Sequence, residues 1–255
     1  MSNSLPSGLM WSLPQEHVDL GENEVHLWST QMDDAGLCVE CCRNLLSSEE
    51  RERALRFRFE TDRRRYIVAH GALRSILASY LNANPDDLQF SIGSNGKPKL
   101  ALGPAAEKFE FNLSHSHAVS LLAVIHGREI GVDVEHVRGD FSFEEVAERF
   151  FTPKEVVALR ALSSRLQREA FYKCWTSKEA FLKAKGTGLS GELDEVEIIL
   201  TDEGVQIKGT VPNWCLIQFD PCDGYVGAVV VEGHACEIKC YRWEGLNTQG
   251  SHRHS

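Results

Sequence analysis

The spacing of apolar residues predicts a short strand followed by two helices in the first part of the chain. Residues 24–30, EVHLWST, alternate in polarity as a strand with one buried face does. Ser47 and Glu50 have the spacing of a capping box, so we expect a helix to begin there. A second helix follows, because apolar residues recur at helical spacing between Tyr66 and Tyr80, before the segment NANPDD.

From residue 88 onward the pattern changes to short strands joined by turns. LQFSI, KFEFNLSH, AVSLLAVI and IGVDVEHV have strand character, and GSNGKP and HGRE are typical turns. Helices are predicted again at 143–149, after Thr152 with its capping-box partner Glu155, and at 165–185. The remaining strand-like segments are LDEVEIIL, GVQIKGT, WCLIQF, YVGAVVV and CEIKCYRW.

The order of these elements favours an α+β fold over a repeating βαβ sheet, because short turns connect antiparallel neighbours. It also indicates two similar halves, an N-terminal half of residues 1–130 and a C-terminal half of residues 131–246. No sequence repeat accompanies this division. Residues 247–255, NTQGSHRHS, are predicted to be a disordered polar tail, and their histidines are not counted as ligands.

Composition narrows the classes of function. The formal net charge of −10 argues against a nucleic-acid partner, because that binding depends on Lys and Arg side chains that neutralise phosphates. The arginine-dense stretch 43–74 gives the chain a local basic surface that suits a small polyanion. No apolar run approaches the roughly 20 residues of a membrane span, and no signal peptide is evident, so we expect a cytoplasmic protein without a membrane partner.

The cysteines are expected to be reduced thiols, since nothing in the sequence is typical of a secreted protein. Cys38 and Cys41 form a C-x-x-C pair, but no second pair of Cys or His follows at zinc-finger spacing. A zinc site is therefore not predicted.

Three stretches carry candidate chemistry, and the first is GVDVEHVR at 131–138. Residues two apart in a strand face the same side, so Asp133 and Glu135 project together while Val132 and Val134 face the other way. Two carboxylates on one face can hold Mg²⁺ together with waters and a phosphate. They can equally be the solvated side of a strand, and the motif alone does not distinguish the two.

The second stretch, FYKCWTSKEAFLKAKGTGLS at 171–190, lies on a predicted helix that ends at Gly186. Trp175, Glu179 and Lys183 share one face of this helix at i, i+4 and i+8. An ordinary amphipathic helix with Glu-to-Lys pairs gives the same pattern. The aromatic residue among the charges indicates that this polar face is partly buried.

The third stretch, FNLSHSHAVSLLAV at 111–124, interrupts apolar strands with Ser114, His115, Ser116 and His117. Polar residues at a strand end commonly form only a turn. A histidine there could instead donate a hydrogen bond to a phosphate. A serine hydrolase is disfavoured, because the sequence has no G-x-S-x-G elbow.

Taken together, NLSHS, GVDVE and WTSKEAFLKAKGTGLS resemble in order and separation the Sfp-type 4′-phosphopantetheinyl transferases. The signature of that family is (V/I)G(V/I)D-x-E followed, about forty residues later, by (F/W)-x-x-KE-x-x-x-K. GKPKL at 96–100 is similar to the family's GKP turn. The resemblance implies two pseudo-symmetric α+β halves, each a small antiparallel sheet with helices, with the active site in the cleft between them.

The implied activity is transfer of the 4′-phosphopantetheine arm of coenzyme A to a serine of an apo acyl or peptidyl carrier protein. The family resemblance further implies Mg²⁺ as the cofactor, 3′,5′-ADP as the released product and a monomeric enzyme. An acidic carrier would be attracted to basic faces of the enzyme, and the apolar residues after Phe143 are a candidate docking surface.

The resemblance also assigns roles to single residues of this sequence. Asp133, Glu135 and Glu179 are the expected Mg²⁺ ligands, and the expected catalytic residues are Glu179, Lys183 and His115. The expected contacts to coenzyme A are Arg53, Arg65, Lys97, Ser114, His115, Lys178 and Lys183. The chain departs from the family at Glu50, where the best-known relative has a lysine, so Arg51 or Arg65 is the expected substitute.

Two other functions remain open from the sequence. A Mg²⁺-dependent phosphohydrolase would use the same three carboxylates with water as the nucleophile. A non-catalytic coenzyme A or carrier-binding module would keep the binding residues without the chemistry. An assay with and without an apo carrier separates these hypotheses, because only a transferase adds the mass of the arm to the carrier.

Overall fold

Strands and helices follow one another along the chain in a computed structural model that describes residues 9–14, 18–93, 96–101, 108–186, 213–233 and 236–246. The strands are β1 (Trp11–Ser12), β2 (Glu24–Gln31), β3 (Phe90–Ile92), β4 (Pro98–Leu100), β5 (Phe109–Ser116), β6 (Val119–His126), β7 (Ile130–His136), β8 (Trp214–Phe219), β9 (Tyr225–Glu232) and β10 (Glu237–Arg242). The α-helices are α1 (Val39–Leu45), α2 (Ser48–Leu55), α3 (Glu60–Leu81), α4 (Glu144–Phe150), α5 (Pro153–Ala161) and α6 (Ser164–Lys185), with a 3-10 turn at Pro85–Asp87. The predicted strands LDEVEIIL and GVQIKGT and the tail 247–255 lie outside the described residues.

The first sheet contains five strands in the order β1-β10-β2-β6-β5. β2 pairs with β6, and β6 with β5, in antiparallel register. β10 runs parallel to both of its neighbours, β2 and β1. Helix α3 packs on this sheet. Most of the buried apolar residues of the helix belong to the core that the helix and the sheet share. The sheet is therefore mixed rather than purely antiparallel, because the segment CEIKCYRW of the predicted C-terminal half enters it as β10.

The second sheet, β7-β9-β8, is antiparallel throughout. One of its faces packs on helix α6, where Phe181 and Val230 share a core. The other face packs on the first sheet, where Val132 and Val134 of β7 meet Leu27 of β2. The α+β class and the predicted alternation of β7 are confirmed, and the boundaries of the two halves stay a prediction.

Local signals set the ends of the helices. Ser47 and Glu50 form the predicted capping box, each side chain accepting a hydrogen bond from the other residue's backbone nitrogen. Thr152 and Glu155 do the same at the start of α5, and α6 ends at Gly186, whose φ is 70°. None of the helices in the described part of the chain is long and apolar enough to cross a membrane.

Helix α1 has no signal in the apolar pattern. Its N-cap is Cys38, whose Sγ accepts a hydrogen bond from the backbone nitrogen of Cys41. The expectation of reduced thiols is wrong for this pair, because one turn of helix places their Cα atoms 5.2 Å apart and the two cysteines form a disulfide. The other cysteines of the chain are free.

Candidate active site

Strand β7 and helix α6 lie very close together at Gly131, the first residue of GVDVE. A Cβ atom at this position would lie 2.0 Å from the carbonyl oxygen of Ala180 and 2.4 Å from the backbone nitrogen of Ala184. Only glycine leaves room for such an approach of a strand to a helix. The carboxylates that follow on β7 are thereby held beside the charged face of α6.

Asp133 is buried, with 5% of its surface exposed, and is hydrogen-bonded through one oxygen. Its Oδ1 accepts hydrogen bonds from Lys183 Nζ at 2.7 Å and from Ser114 Oγ at 2.8 Å. Lys183 Nζ also donates to Ser114 Oγ at 2.8 Å, which closes a triangle of three side chains. The second oxygen, Oδ2, is buried without a hydrogen-bond partner. Such an oxygen is costly unless a proton or a cation reaches it.

Glu135 and Glu179 complete the acidic side of the site. Glu135 Oε2 accepts a hydrogen bond from Ser116 Oγ at 2.7 Å, and burial raises the pKa of Glu135. Glu179 Oε1 is buried without a hydrogen-bond partner. Burial, followed by the negative charge of Asp133, raises the pKa of Glu179 to about 6, against the opposing effect of Lys183. The structure thus brings together Asp133, Glu135, Glu179 and Lys183, as predicted.

A cation fits this group by its chemistry, although among the described residues no three His, Cys, Asp or Glu side chains are arranged as a complete metal site. The site offers carboxylate oxygens, which are the ligands that Mg²⁺ prefers. Two of those oxygens, on Asp133 and Glu179, are buried without a partner. A divalent cation would satisfy both and would relieve the repulsion that helps to raise the pKa of Glu179.

A cavity of about 860 Å³ opens beside Glu135. Its lining combines polar residues such as Ser116 and His136 with apolar residues such as Phe150 and Trp175. A cavity of this size and mixed lining can take a ligand that has both polar groups and a less polar chain.

Sequence reasoning missed Asn112 and the role of Ser116. Asn112 Oδ1 accepts a hydrogen bond from the backbone nitrogen of Val132 at 2.9 Å. Ser116 Oγ donates to Glu135 and accepts from the backbone nitrogen of His136 at 3.1 Å. The signal was present in NLSHS, where polar residues at every second position share one face of a strand.

Known proteins match the chain over nearly its whole length. A family model described as the 4′-phosphopantetheinyl transferase superfamily matches residues 129–230, and one described as 4′-phosphopantetheinyl transferase, N-terminal, matches residues 27–126. The 4′-phosphopantetheinyl transferase HetI of a Nostoc species is 39% identical over 91% of this chain and 98% of its own. This chain belongs to the 4′-phosphopantetheinyl transferase family.

Further relatives agree with this membership, and the resemblance inferred from the motifs is confirmed. The 4′-phosphopantetheinyl transferase Sfp of Bacillus subtilis is 33% identical over 70% of this chain and 75% of its own. With the identity to HetI, this makes the chain a phosphopantetheinyl transferase enzyme. Among solved structures, an apo-ACPS structure from Chronobacterium ammoiniagenes aligns with a TM-score of 0.28 and 21% identity over 42% of this chain and 99% of its own, which is too distant to add to that conclusion.

In this transferase, His115 lies on β5 and Arg53 on α2. Loss of water around the ring lowers the pKa of His115, and the charges of His70 and Lys183 act in the same direction. His70 packs on Tyr66 with ring centroids 4.1 Å apart, and Arg53 lies over the same ring at 5.7 Å. The roles of Arg53 and His115 in binding coenzyme A stay predictions.

Two other predicted coenzyme A contacts of the transferase are engaged in ion pairs outside the group around Asp133. Arg65 donates two hydrogen bonds to Asp33, at 3.0 and 2.5 Å. Lys97 Nζ lies 2.6 Å from Glu129 Oε2. A nucleotide would have to compete with these carboxylates, and the binding roles of both residues stay predictions.

Lys178 is expected from the sequence to bind coenzyme A, and its position in the structure contradicts this expectation. Its side chain is 1% exposed and its Nζ lies 3.0 Å from Oε1 of Glu155, which is also 1% exposed. Successive residues of a helix are rotated by about 100°, so Lys178 faces the core under α5 while Glu179 faces the site. A ligand in the site has no access to this buried ammonium group.

Glu50, where the sequence was expected to depart from the family, has a structural role. Its Oε2 accepts a hydrogen bond from Arg74 Nε at 2.6 Å and also caps α2, so it joins α2 to α3. Burial alone would raise the pKa of Glu50, but bonds from His70, the backbone of Ser47 and Arg74 outweigh it and lower the pKa to about 2. Glu50 is therefore an ionised anchor between two helices.

Proposed function

We propose that this phosphopantetheinyl transferase moves the 4′-phosphopantetheine arm of coenzyme A to a serine of an apo acyl or peptidyl carrier protein, with Mg²⁺ as cofactor. The observation that carries the proposal is the contact group of Asp133, Lys183 and Ser114 beside Glu179 and the cavity at Glu135. A monomeric state and a cytoplasmic location belong to the same proposal.

The proposed reaction needs positive charge beside the phosphates. The serine oxygen attacks the β-phosphorus of coenzyme A, the bond from this phosphorus to the bridging oxygen breaks, and 3′,5′-ADP leaves. Negative charge grows on the phosphoryl oxygens and on the leaving group, and fixed donors that face this charge stabilise the transition state. Lys183, 30% exposed and held by Ser114 and Asp133, is one such donor, and His115 is the second.

The serine hydroxyl must lose its proton to become an effective nucleophile. Glu179 is the proposed acceptor, either directly or through an intervening water, and an oxygen of Glu179 that binds the ion directly does not take the proton at the same time. Without a bound ion its pKa is about 6, close to neutral pH, where a general base is most effective.

Asp133, Glu135 and Glu179 are the side chains that would hold Mg²⁺. When bound, the ion supplies charge neutralisation at the phosphate oxygens. Asp133 is the proposed direct ligand, because its Oδ1 is held by Lys183 and Ser114 while its Oδ2 is left without a partner.

The cavity beside Glu135 is the proposed place of the pantetheine arm and of the entering serine. Phe150 and Trp175 give it an apolar wall. Phe143, expected to start a carrier-docking surface, is 5% exposed and stacks on Phe171 with ring centroids 5.2 Å apart. It is a core residue, so carrier docking falls to residues at the rim of the cavity instead.

The test is intact-mass spectrometry of a panel of apo carriers incubated with coenzyme A, in Mg²⁺ or in EDTA. We expect the carrier to gain the mass of the arm in Mg²⁺ and not in EDTA. Asp133→Ala should slow transfer by about 10²–10³-fold, the usual effect of removing one charge-stabilising element. The matched control is Asp86→Ala, at an exposed aspartate of the 3-10 turn, which should transfer at the wild-type rate.

The alternatives have distinct outcomes. Release of 3′,5′-ADP without a carrier would favour the phosphohydrolase, and coenzyme A binding without transfer to any carrier would favour the binding module. Full activity in Asp133→Ala would remove the carboxylate site from the mechanism.

A further inference from the structure

Beside their shared apolar core, the two sheets are linked by polar side chains of one edge strand. β5 is an edge of the first sheet and β7 an edge of the second, and the two strands are not paired in either sheet. Edge strands carry backbone groups that need partners elsewhere. Side chains of β5 provide such partners to β7, as the bond from the backbone nitrogen of Val132 to Asn112 shows.

These bonds define one register between the strands. Alternate residues of β5 make hydrogen bonds to successive positions of β7. Asn112 bonds to Val132, Ser114 to Asp133, and Ser116 to Glu135 and His136. The pairing of β7 with β9 sets which way its side chains point. The bonds from β5 fix where along that strand Asp133 and Glu135 lie.

Ser116 makes the most specific of these bonds, because its hydroxyl is engaged in both directions. It accepts a hydrogen bond from the backbone nitrogen of His136 at 3.1 Å, so its own hydrogen is free to point at Glu135 Oε2, 2.7 Å away. One oxygen of Glu135 is thereby held by Ser116, and the Trp175 side chain donates a further hydrogen bond to the same carboxylate.

We propose that Ser116 is a positioning residue that orients Glu135 toward the cation of the transfer site. This inference rests on the proposed function, because that proposal supplies the cation. Groups that hydrogen-bond to a metal-binding carboxylate typically change metal affinity by 10–100-fold when they are removed. Ser116 itself touches neither the phosphates nor the reacting atoms.

The test is equilibrium titration of the full chain with Mn²⁺, without coenzyme A or carrier. Ser116→Ala should weaken Mn²⁺ binding by roughly ten-fold, and Ser116→Thr, which keeps the hydroxyl, should restore most of the affinity. The matched control is Ser142→Ala, because Ser142 Oγ also donates to a glutamate, Glu144, at 3.0 Å but on the exposed start of α4. This control should bind Mn²⁺ like the wild type.

A merely structural role would lower the thermal midpoint of Ser116→Ala and leave the Mn²⁺ affinity of the folded protein unchanged, which would overturn the inference. If the alanine variant does not fold, Ser116→Cys tests the same bond with a weaker donor, and wild-type affinity in that variant would also overturn it. Absence of Mn²⁺ binding by the wild type would overturn the metal assignment together with this inference. Wild-type binding with an unaffected Ser116→Ala would overturn this inference alone.

Discussion

Two of the lysines on helix α6 pair with carboxylates of neighbouring elements, and the two pairs have opposite properties. In the pair of Lys178 and Glu155 both side chains are 1% exposed, and the second oxygen of Glu155 accepts a hydrogen bond from the backbone of Thr152. In the pair of Lys183 and Asp133 the lysine is 30% exposed and Asp133 Oδ2 has no hydrogen-bond partner. The first pair is complete and holds helices together. The second keeps unused bonding capacity, which is the property expected of a site that binds a ligand.

The largest expected effect comes from breaking the buried pair. Lys178→Met should lower the free energy of unfolding by about 3–5 kcal/mol, because Glu155 would be left as an uncompensated buried charge. The transfer rate per folded molecule should stay near that of the wild type. Equilibrium urea unfolding and the carrier-loading assay measure the two quantities.

The control for this prediction is the double variant Lys178→Met with Glu155→Gln. It removes both charges and keeps an oxygen to cap α5, so it should recover most of the lost stability. If instead the single variant kept its stability and lost transfer activity, Lys178 would belong to the site after all.

Removing the charge of Glu179 in the candidate active site should have a smaller effect of opposite sign, a gain in stability. The pKa of Glu179 is raised from 4.5 to about 6 in the folded chain, so its ionised form is disfavoured there and the wild type loses stability as the pH rises through this interval. In metal-free buffer, Glu179→Gln should therefore be about 1–2 kcal/mol more stable than the wild type at pH 7 and equally stable below pH 4. The same variant should lose transfer activity.

Urea unfolding of both proteins across this pH range measures the difference. The control is Glu169→Gln, since Glu169 lies on the same helix with 49% of its side chain exposed and should show no such pH dependence. A Glu179→Gln variant that is less stable at every pH would mean that this carboxylate has a stabilising partner.

The smallest effect is expected for the third lysine pair of α6. Lys173 Nζ lies 2.5 Å from Glu169 Oε1 at i,i+4 spacing, and the carboxylate of this pair is 49% exposed, whereas those of the other two pairs are buried. Lys173→Ala should change the free energy of unfolding by only about 0.3–0.5 kcal/mol and leave transfer unchanged. A loss above about 1 kcal/mol, measured by the same urea titration, would show that the stabilisation by the ion pairs of α6 does not increase with the burial of their side chains.

Much of the fold could be predicted because its signals are local. The capping residues Ser47 and Thr152, the left-handed end of α6 at Gly186 and the alternation of β7 all depend on neighbours within one turn or one strand. The order of motifs predicted that Asp133, Glu179 and Lys183 lie near one another, since several motifs at fixed separations are far more specific than one.

The rest depends on contacts between distant parts of the chain. CEIKCYRW is recognisable as a strand, but its sequence does not say that its partners are β1 and β2. Lys178 stands next to Glu179 in the sequence, and only the packing of α5 shows that it points into the core. The importance of Gly131 becomes visible only when Ala180 is seen against it.

The placement of β10 makes the two halves of the enzyme inseparable. A chain divided after residue 130 would leave its first fragment with a gap one strand wide beside β2, and β1 would lose the neighbour to which it is bonded. Apolar residues at this edge, Val25 and Leu27 among them, would lie along an open strand, which is a template for aggregation. The first sheet of this enzyme therefore forms only when residues 237–242 join the strands of the first 130 residues.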